Sequence, residues 1–301
     1  DEEVFITTGT LAFQNCGTHV DWNYLNTHIA AQGTFVDWGG TTYFSGNLFE
    51  TGGSFEHNSG LFVYDAATYT VTDVSAPLHF YDLEMAKSTS RTMTLATGDM
   101  VVVENNYFSN YGLFHGADAF LHLEKDATFG PSHQRGSVPV IFTGSNTGIF
   151  TCNHTGLTHL HMEIDKDNPT DMVFFQTSNP ALTIGNNADE EVFITTGTLA
   201  FQNCGTHLDW NFLNTHIAAD GTFVDWSGTT YFSGNLFETG GSFEHNNGLF
   251  IYDAATYTVT DVTAPLHFYD LEMAKSSSRT MTLSTGDLVV VDNNYLSSYG
   301  L

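Results

Sequence analysis

The sequence is poor in basic residues, in cysteine and in long apolar runs, and each shortage excludes a class of protein. Lys and Arg number seven against 34 Asp and Glu in 301 residues, a formal net charge of −27. A surface of that sign repels phosphate backbones and anionic lipid headgroups, so nucleic acid is not expected as a partner. Cysteine occurs only at Cys16, Cys152 and Cys204, too few to staple a small core-less scaffold. No apolar run approaches the roughly 18 residues of a membrane-spanning helix, and no signal peptide opens the sequence at Asp1. The shortage of cations also means that carboxylates repel one another unless salt screens them, which it does within roughly 8 Å at physiological ionic strength and above. A salty or cation-rich exterior is the expected setting. What is present in quantity is apolar and aromatic: 41% of the residues are hydrophobic and 14% of the chain is Phe, Trp or Tyr, enough for an ordered core.

The segment DEEVFITTGTLAFQNCGTH at Asp1 recurs letter for letter from Asp189. The two copies run in parallel without a gap, Asp1–Leu113 against Asp189–Leu301, with about 100 of about 113 positions identical. Val20 becomes Leu208, Tyr24 Phe212, Val63 Ile251, Met100 Leu288 and Phe108 Leu296, exchanges that keep apolar volume and mark core positions. Gln32 to Asp220, Ser59 to Asn247 and Asn110 to Ser298 trade polar groups and read as solvent-facing. The sequence is thus divided into residues 1–188, one full unit, and residues 189–301, a second unit cut in mid-repeat. A natural chain, or assembly, that continues in the same register is the expectation.

Within each unit short alternating runs follow one another, among them Val4–Thr8, Thr10–Gln14, Thr34–Trp38, Thr41–Ser45, Leu61–Asp65, Thr68–Asp73, Thr92–Thr97 and Met100–Glu104. They are rich in Thr, Val, Phe and Tyr and are punctuated by Gly, Asn, Asp or Ser at intervals of roughly seven or eight residues. Such spacing leaves no room for helical crossovers and little for successive hairpins. It fits an all-β fold, a right-handed parallel β-helix (β-solenoid), with about three short strands and roughly 23 residues per rung. A unit would then hold about eight rungs and advance roughly 38 Å at about 4.8 Å per rung. Leu78–Lys87 (LHFYDLEMAK) echoes Leu157–Lys166 (LTHLHMEIDK), which suggests older half-units, and Phe114–Gly136, with its charged, Pro- and His-bearing core, is expected to protrude as a loop.

The run Gly52–Asn106 (GGSFEHNSGLFVYDAATYTVTDVSAPLHFYDLEMAKSTSRTMTLATGDMVVVENN), with its copy from Gly240, resembles the stacked segments of large bacterial surface and adhesin-like repeat proteins. That resemblance covers roughly a third of the chain and implies a pectin-lyase-like parallel β-helix and a secreted role in adhesion or surface coats.

Candidate sites follow from residue type and spacing. His159 and His161 lie two apart with Glu163 continuing the row, a metal-ligand spacing, or equally the polar face of a wet strand. Cys152 and Cys204 are either buried free thiols or a bridged pair. Asn153-His154-Thr155 is a glycosylation sequon. The triplets Asp1, Glu2, Glu3 and Asp189, Glu190, Glu191 could hold Ca²⁺ between turns or be solvated turns. Trp22, Trp38, Trp210 and Trp226 would bind sugar rings if exposed in a row and would serve as core if buried. No other cofactor is expected.

A β-helix can be a polysaccharide lyase or hydrolase, but a lyase acting on uronates needs cations against the substrate carboxylate, and this chain has seven in all. A hydrolase could use paired carboxylates. A nearly unchanged active site copied along an array is less economical than a material role, so the chain is expected not to be an enzyme. The expected function is structural, a subunit of an extracellular or cell-surface fibre or layer that self-associates. The alternatives are the stalk of a cell-surface adhesin and a β-helix that binds or cleaves cell-surface glycans.

Overall fold

A computed structural model describes residues 2–23, 25–64, 68–72, 77–85, 91–133, 136–154, 161–179, 183–184, 191–210, 214–252, 257–260, 265–273, 281–283 and 285–297. Among them there is no helix, and the strands pair in parallel as the stacked coils of a β-solenoid. The chain divides into two compact units, Asp1–Ile141 and Phe142–Leu301.

In the first unit three columns of strands are built up coil by coil. The first holds the leading halves of β1 (Glu2–Ala12) and, after β2 (His19–Trp22), of β3 (Leu25–Val36). Beyond β4 (Thr41–Phe44) it continues through β5 (Leu48–Thr51), and beyond β6 (Ser54–Glu56) and β7 (Leu61–Tyr64) through β8 (Thr68–Thr72). After β9 (Leu78–Met85) come β10 (Arg91–Leu95), β11 (Met100–Ser109) and β12 (Gly112–His115), of which β10 and β12 close the first column. The last two strands are β13 (Phe120–Leu123) and β14 (Asp126–Phe129). The second column runs through the trailing halves of β1 and β3 to β6, and through the leading halves of β9 and β11 to β13. The third runs β2, β4, β7, the trailing halves of β9 and β11, then β14.

Three strands per coil therefore holds, with a refinement. In the first two coils the strands of columns one and two fuse into one bent strand, and from β9 onward the fusion moves to columns two and three. Register shifts mark the bends, between Ile6 and Thr8 in β1 and between Val103 and Asn106 in β11. A bulge there lets one strand turn a corner without breaking its ladder. One circuit spans from 20 residues, Met100 to its partner Phe120, to 24, Thr68 to Thr92, around the expected 23.

Period-two alternation explains why these residues stack. In the third column Trp22, Phe44, Tyr64 and Met85 pair in register, as do Thr42, Phe62, Leu83, Tyr107 and Ala127. Most of their alternate neighbours are less buried, Val63 excepted, so one face of each strand is apolar and packs inside the coil. Phe44, Phe62 and Phe80 are wholly or almost wholly buried, and ring centroids lie 5.2 Å apart for Phe44–Phe62 and 5.0 Å for Phe62–Phe80. Each such ring contributes about 2 to 3 kcal/mol of burial. Asn58 and Ser59, with φ 47° and 59°, make the corner before β7, a left-handed conformation that Asn tolerates better than most residues.

The second unit reproduces these registers 188 positions on. Thr27 with Leu48 becomes Thr215 with Leu236, Leu61 with Asp82 becomes Leu249 with Asp270, and Val101 with Leu78 becomes Val289 with Leu266. Ahead of the copy, Met162–Asp165 and Met172–Gln176 pair with the two halves of Glu191–Phe201. The circuit there is longer, 30 residues from Met162 to Val192.

Two sequence expectations are corrected. Most of Phe114–Gly136 is not a protruding loop: Phe120–Leu123 and Asp126–Phe129 pair with β11, and Leu121, Leu123, Ala127 and Phe129 are buried. The charged Glu124-Lys125 pair sits at the corner between them, where charge reaches water without interrupting the alternation. The echo between Leu78–Lys87 and Leu157–Lys166 does not mark equivalent positions either. In the second unit the copy of β9, Leu266–Met273, stands in the column of Leu249–Tyr252, whereas Met162–Asp165 stands in that of Glu191 and Asn214. Alternation fixes which side of a strand is buried but not which side of the coil the strand occupies.

Candidate functional site

The chemistry-bearing side chains collect at coil corners, where each bonds to its counterpart one coil away. Asp82 Oδ1 accepts from Asn105 Nδ2 at 2.9 Å, from Asn106 N at 2.9 Å and from Asn106 Nδ2 at 2.8 Å. The register shift in β11 lets both asparagines, in mid-strand, reach the same carboxylate. Asp270 holds Asn293 and Asn294 in the same way in the second unit. Asn47 donates through both N and Nδ2 to Asn26 Oδ1, and Asn235 to Asn214 likewise.

A second corner links three coils through a carboxylate. Glu104 lies 3.2 Å from both His57 Nε2 and His79 Nδ1. In the copy Asp292 lies 3.1 Å from His245 Nε2 and 3.3 Å from His267 Nδ1. Two imidazoles and a carboxylate are a familiar ligand set for transition metals, yet the hydrogen bonding points elsewhere. Ser59 N donates to His57 Nδ1 at 2.9 Å, and Asn247 N to His245 Nδ1 at 3.0 Å. Each δ nitrogen is thus an acceptor, each ε nitrogen carries the hydrogen, and that hydrogen points at the carboxylate. A metal on Nε2 would need the opposite tautomer and would set N–H against N–H. The arrangement is a brace between coils.

A third row is aromatic. Phe5, His28 and Phe49 stack face to face at 4.5 and 4.6 Å, and Phe193, His216 and Phe237 repeat the row at the same spacings. Within the row the facing sides of the rings cover one another, which suits ladder stability, while Phe5 at its end stays 60% exposed. Glu3 and Glu191 approach His28 and His216 at 4.0 and 3.6 Å. Burial pulls the His216 imidazole below its ordinary value, and Glu191 opposes that shift.

Inside the coil each copy buries an aspartate, besides the buried Glu50 and its counterpart Glu238. Asp37 Oδ1 accepts from Trp38 N and Thr42 Oγ1, both at 2.7 Å, and Asp225 Oδ1 from Trp226 N at 2.9 Å and Thr230 Oγ1 at 2.6 Å. Asp37 Oδ2 is buried with no hydrogen-bond partner. Burial pushes both groups from about 4 to about 7, against the pull of those bonds. A cavity of about 240 Å³ beside Glu50, Phe55 and His79 is smaller than most small-molecule sites.

His159 lies outside the described residues, as do Asp1, Asp189 and Glu190. His161 is exposed, with its ring 5.9 Å from that of Phe193, and Glu163 accepts from Thr195 Oγ1 at 2.6 Å. Glu2 is exposed. No group of three or more His, Cys, Asp or Glu side chains is placed to hold a metal ion among the described residues. Cys152 and Cys204 are buried and free. Gly148–Cys152 pairs with Met172–Gln176, which pairs with Glu191–Phe201, and Cys204 follows that last strand by three residues, so the two thiols lie two coils apart. Two rungs span about 9.6 Å, beyond the Cα separation of a disulfide. Burial pushes both thiols up to about 12, which makes them inert. Asn153 is half-buried, and its Oδ1 accepts from Ser178 Oγ at 2.7 Å. The tryptophans form no exposed row: Trp210 is fully buried and bonded to Thr215, Trp22 is bonded to Thr27, and Trp38 and Trp226 fold over Gly40 and Gly228.

The corner braces were missed in the sequence, although a signal was there. His57, His79 and Glu104 fall about one rung apart, and the exchange of Glu104 for Asp292 keeps the carboxylate. No family model, curated protein or solved structure matches the chain.

Proposed function

We propose that this chain is a load-bearing segment of an extracellular fibre or surface layer built from tandem β-solenoid units. The observation that carries the reading is the copying of five kinds of contact that hold the coils. Ladder registers, the Asp–Asn corner, the imidazole–carboxylate brace, the Phe–His–Phe row and the buried Asp all recur 188 residues on. Selection acting on a binding site would keep one site and let its copy drift. Here what is kept twice is cohesion along the coil axis, as a tensile element requires. The acidic exterior keeps such an array hydrated and apart from its neighbours.

Electron microscopy of the native material tests this. Filaments or sheets with an axial repeat of about 38 Å support it. Isolated cell-anchored spikes with distal heads favour the adhesin stalk, and glycan turnover by the purified protein would replace both readings.

A further inference from the structure

We propose that the cavity between β5, β6 and the start of β9 binds a small primary alkylammonium ion, whose N–H groups are taken up by Glu50, Ser54 and the imidazole of His79. This inference is independent of the fibre reading, and either can fail alone.

The first observation is a carboxylate in an otherwise apolar row. Ile6, Ile29 and Glu50 pair in register in the first column, and all three are buried, Glu50 to 3% exposure. In the copy Ile194, Ile217 and Glu238 repeat the row, and Glu238 is again 3% exposed. Gly52 N donates to Glu50 Oε1 at 2.5 Å, and Gly240 N to Glu238 Oε1 at 2.7 Å. Capping one turn amide requires an acceptor but not a charge. A full carboxylate kept at an isoleucine's place in both units is better matched by a cation, because burying a charge is costly unless an opposite one meets it.

The second observation is the space beside it. A cavity of about 240 Å³ is lined by Glu50, Ser54, Phe55, Pro77, Leu78 and His79. Glu104 accepts from His79 Nδ1 at 3.2 Å, so the neutral ring carries its hydrogen there and its Nε2 is an acceptor. Asp292 fixes His267 in the same tautomer at 3.3 Å. The cavity therefore offers a carboxylate, a hydroxyl and an imidazole nitrogen, and no cationic side chain is among its described lining residues. Three acceptors from three residues match the three N–H groups of a primary ammonium ion. Phe55, Pro77 and Leu78 give a short alkyl chain an apolar wall, and the small volume excludes bulky ligands. One carboxylate and one imidazole are too few protein ligands for a transition metal.

The net charge of −27 draws every cation towards the surface, so the test must separate N–H recognition from charge alone. The full chain, isotope-labelled in histidine, is titrated with n-butylammonium chloride at constant ionic strength and followed by NMR. Tetramethylammonium chloride serves as a probe of equal charge without N–H. The signal of His79 is identified by its loss in His79→Gln. That signal is expected to move saturably at millimolar butylammonium and to stay in place with tetramethylammonium. Glu50→Gln, which keeps an acceptor for Gly52 N, should weaken binding about tenfold or more. Ser54→Ala, at an exposed position, should weaken it about fivefold and decides the matter if Glu50→Gln does not fold. Equal shifts with both cations would mean diffuse attraction to an acidic surface and would overturn the proposal. A signal that never saturates, or an affinity unchanged by these substitutions, overturns it as well.

Discussion

At the scale of single residues two of the buried carboxyls, Asp37 and Asp225, oppose folding at neutral pH. Asp37 is 1% exposed and Asp225 is 1% exposed, and burial raises each carboxyl to about 7. An unfolded chain holds the same proton only to about pH 3.8. A carboxyl raised on folding favours the native state fully below its unfolded value, and that contribution fades as pH rises through the folded value. Stability is therefore expected to fall between about pH 4 and pH 7 by about 4 kcal/mol per site, and to level off above. Self-repulsion among the 34 acidic residues acts in the same direction, so the difference between variants is the clean reading. Asp37→Asn with Asp225→Asn keeps the acceptor that Trp38, Thr42 and their counterparts use and removes the titration. Its Tm should decline less than that of the parent over this range in calorimetry, and equal slopes would show that the two groups ionise freely in the fold. Neither aspartate stood out in the sequence, because Asp-Trp before a Gly-rich turn reads as a turn signal; only the inward direction of the side chain makes it unusual.

At the scale of the strand and its corner, backbone approach sets the tolerance. A Cβ on Gly33 would lie 2.0 Å from Ile6 O, and one on Gly221 2.1 Å from Ile194 O. These glycines sit just past the bend where β1 and β3, or their copies, stay paired on both sides of a register shift. Gly33→Ala must push two coils apart at that bend and should cost about 1 to 3 kcal/mol, the range of overpacked cores. Denaturant titration checks this, with Gly9→Ala as the contrast, since no atom lies within 4 Å of its Cβ although its φ of 83° carries strain. Elements were the most legible level of the sequence. Thr41–Ser45 and Leu61–Asp65 emerged almost as read, at Thr41–Phe44 and Leu61–Tyr64, because strict alternation reports burial directly. Val4–Thr8 and Thr10–Gln14 fused into β1 because a bulge turns the corner without a break. Phe120–Leu123 and Asp126–Phe129 escaped notice because Pro131, His133 and the charges around them outweighed a short alternation. The braces between coils depend on pairs about one rung apart, and a rung of variable length hides such pairs until the register is known.

At the scale of the molecule, the copy was plain in the sequence, and its consequence is that the Asp–Asn corner, the imidazole–carboxylate brace and the Phe–His–Phe row each recur with the same charge around them. With 34 acidic and seven basic residues, folding draws carboxylates together, and the cost is greatest where screening is weakest. Raising NaCl from about 10 mM to about 500 mM shortens the screening length from roughly 30 Å to roughly 4 Å, which removes repulsion between neighbouring coils as well as distant ones. Tm should therefore rise with salt, steeply at first and then little. CaCl₂ at equal ionic strength separates two origins of that rise. Glu3 and Glu191 face His28 and His216, so these two carboxylates are engaged by imidazoles within the coil. Calcium is accordingly expected to match NaCl once ionic strength is equalised. A saturable extra stabilisation at micromolar to millimolar Ca²⁺ would instead mean that carboxylates gather around the ion on binding, and the acidic surface would then be part of how the coils are held and not only of how they are kept in solution.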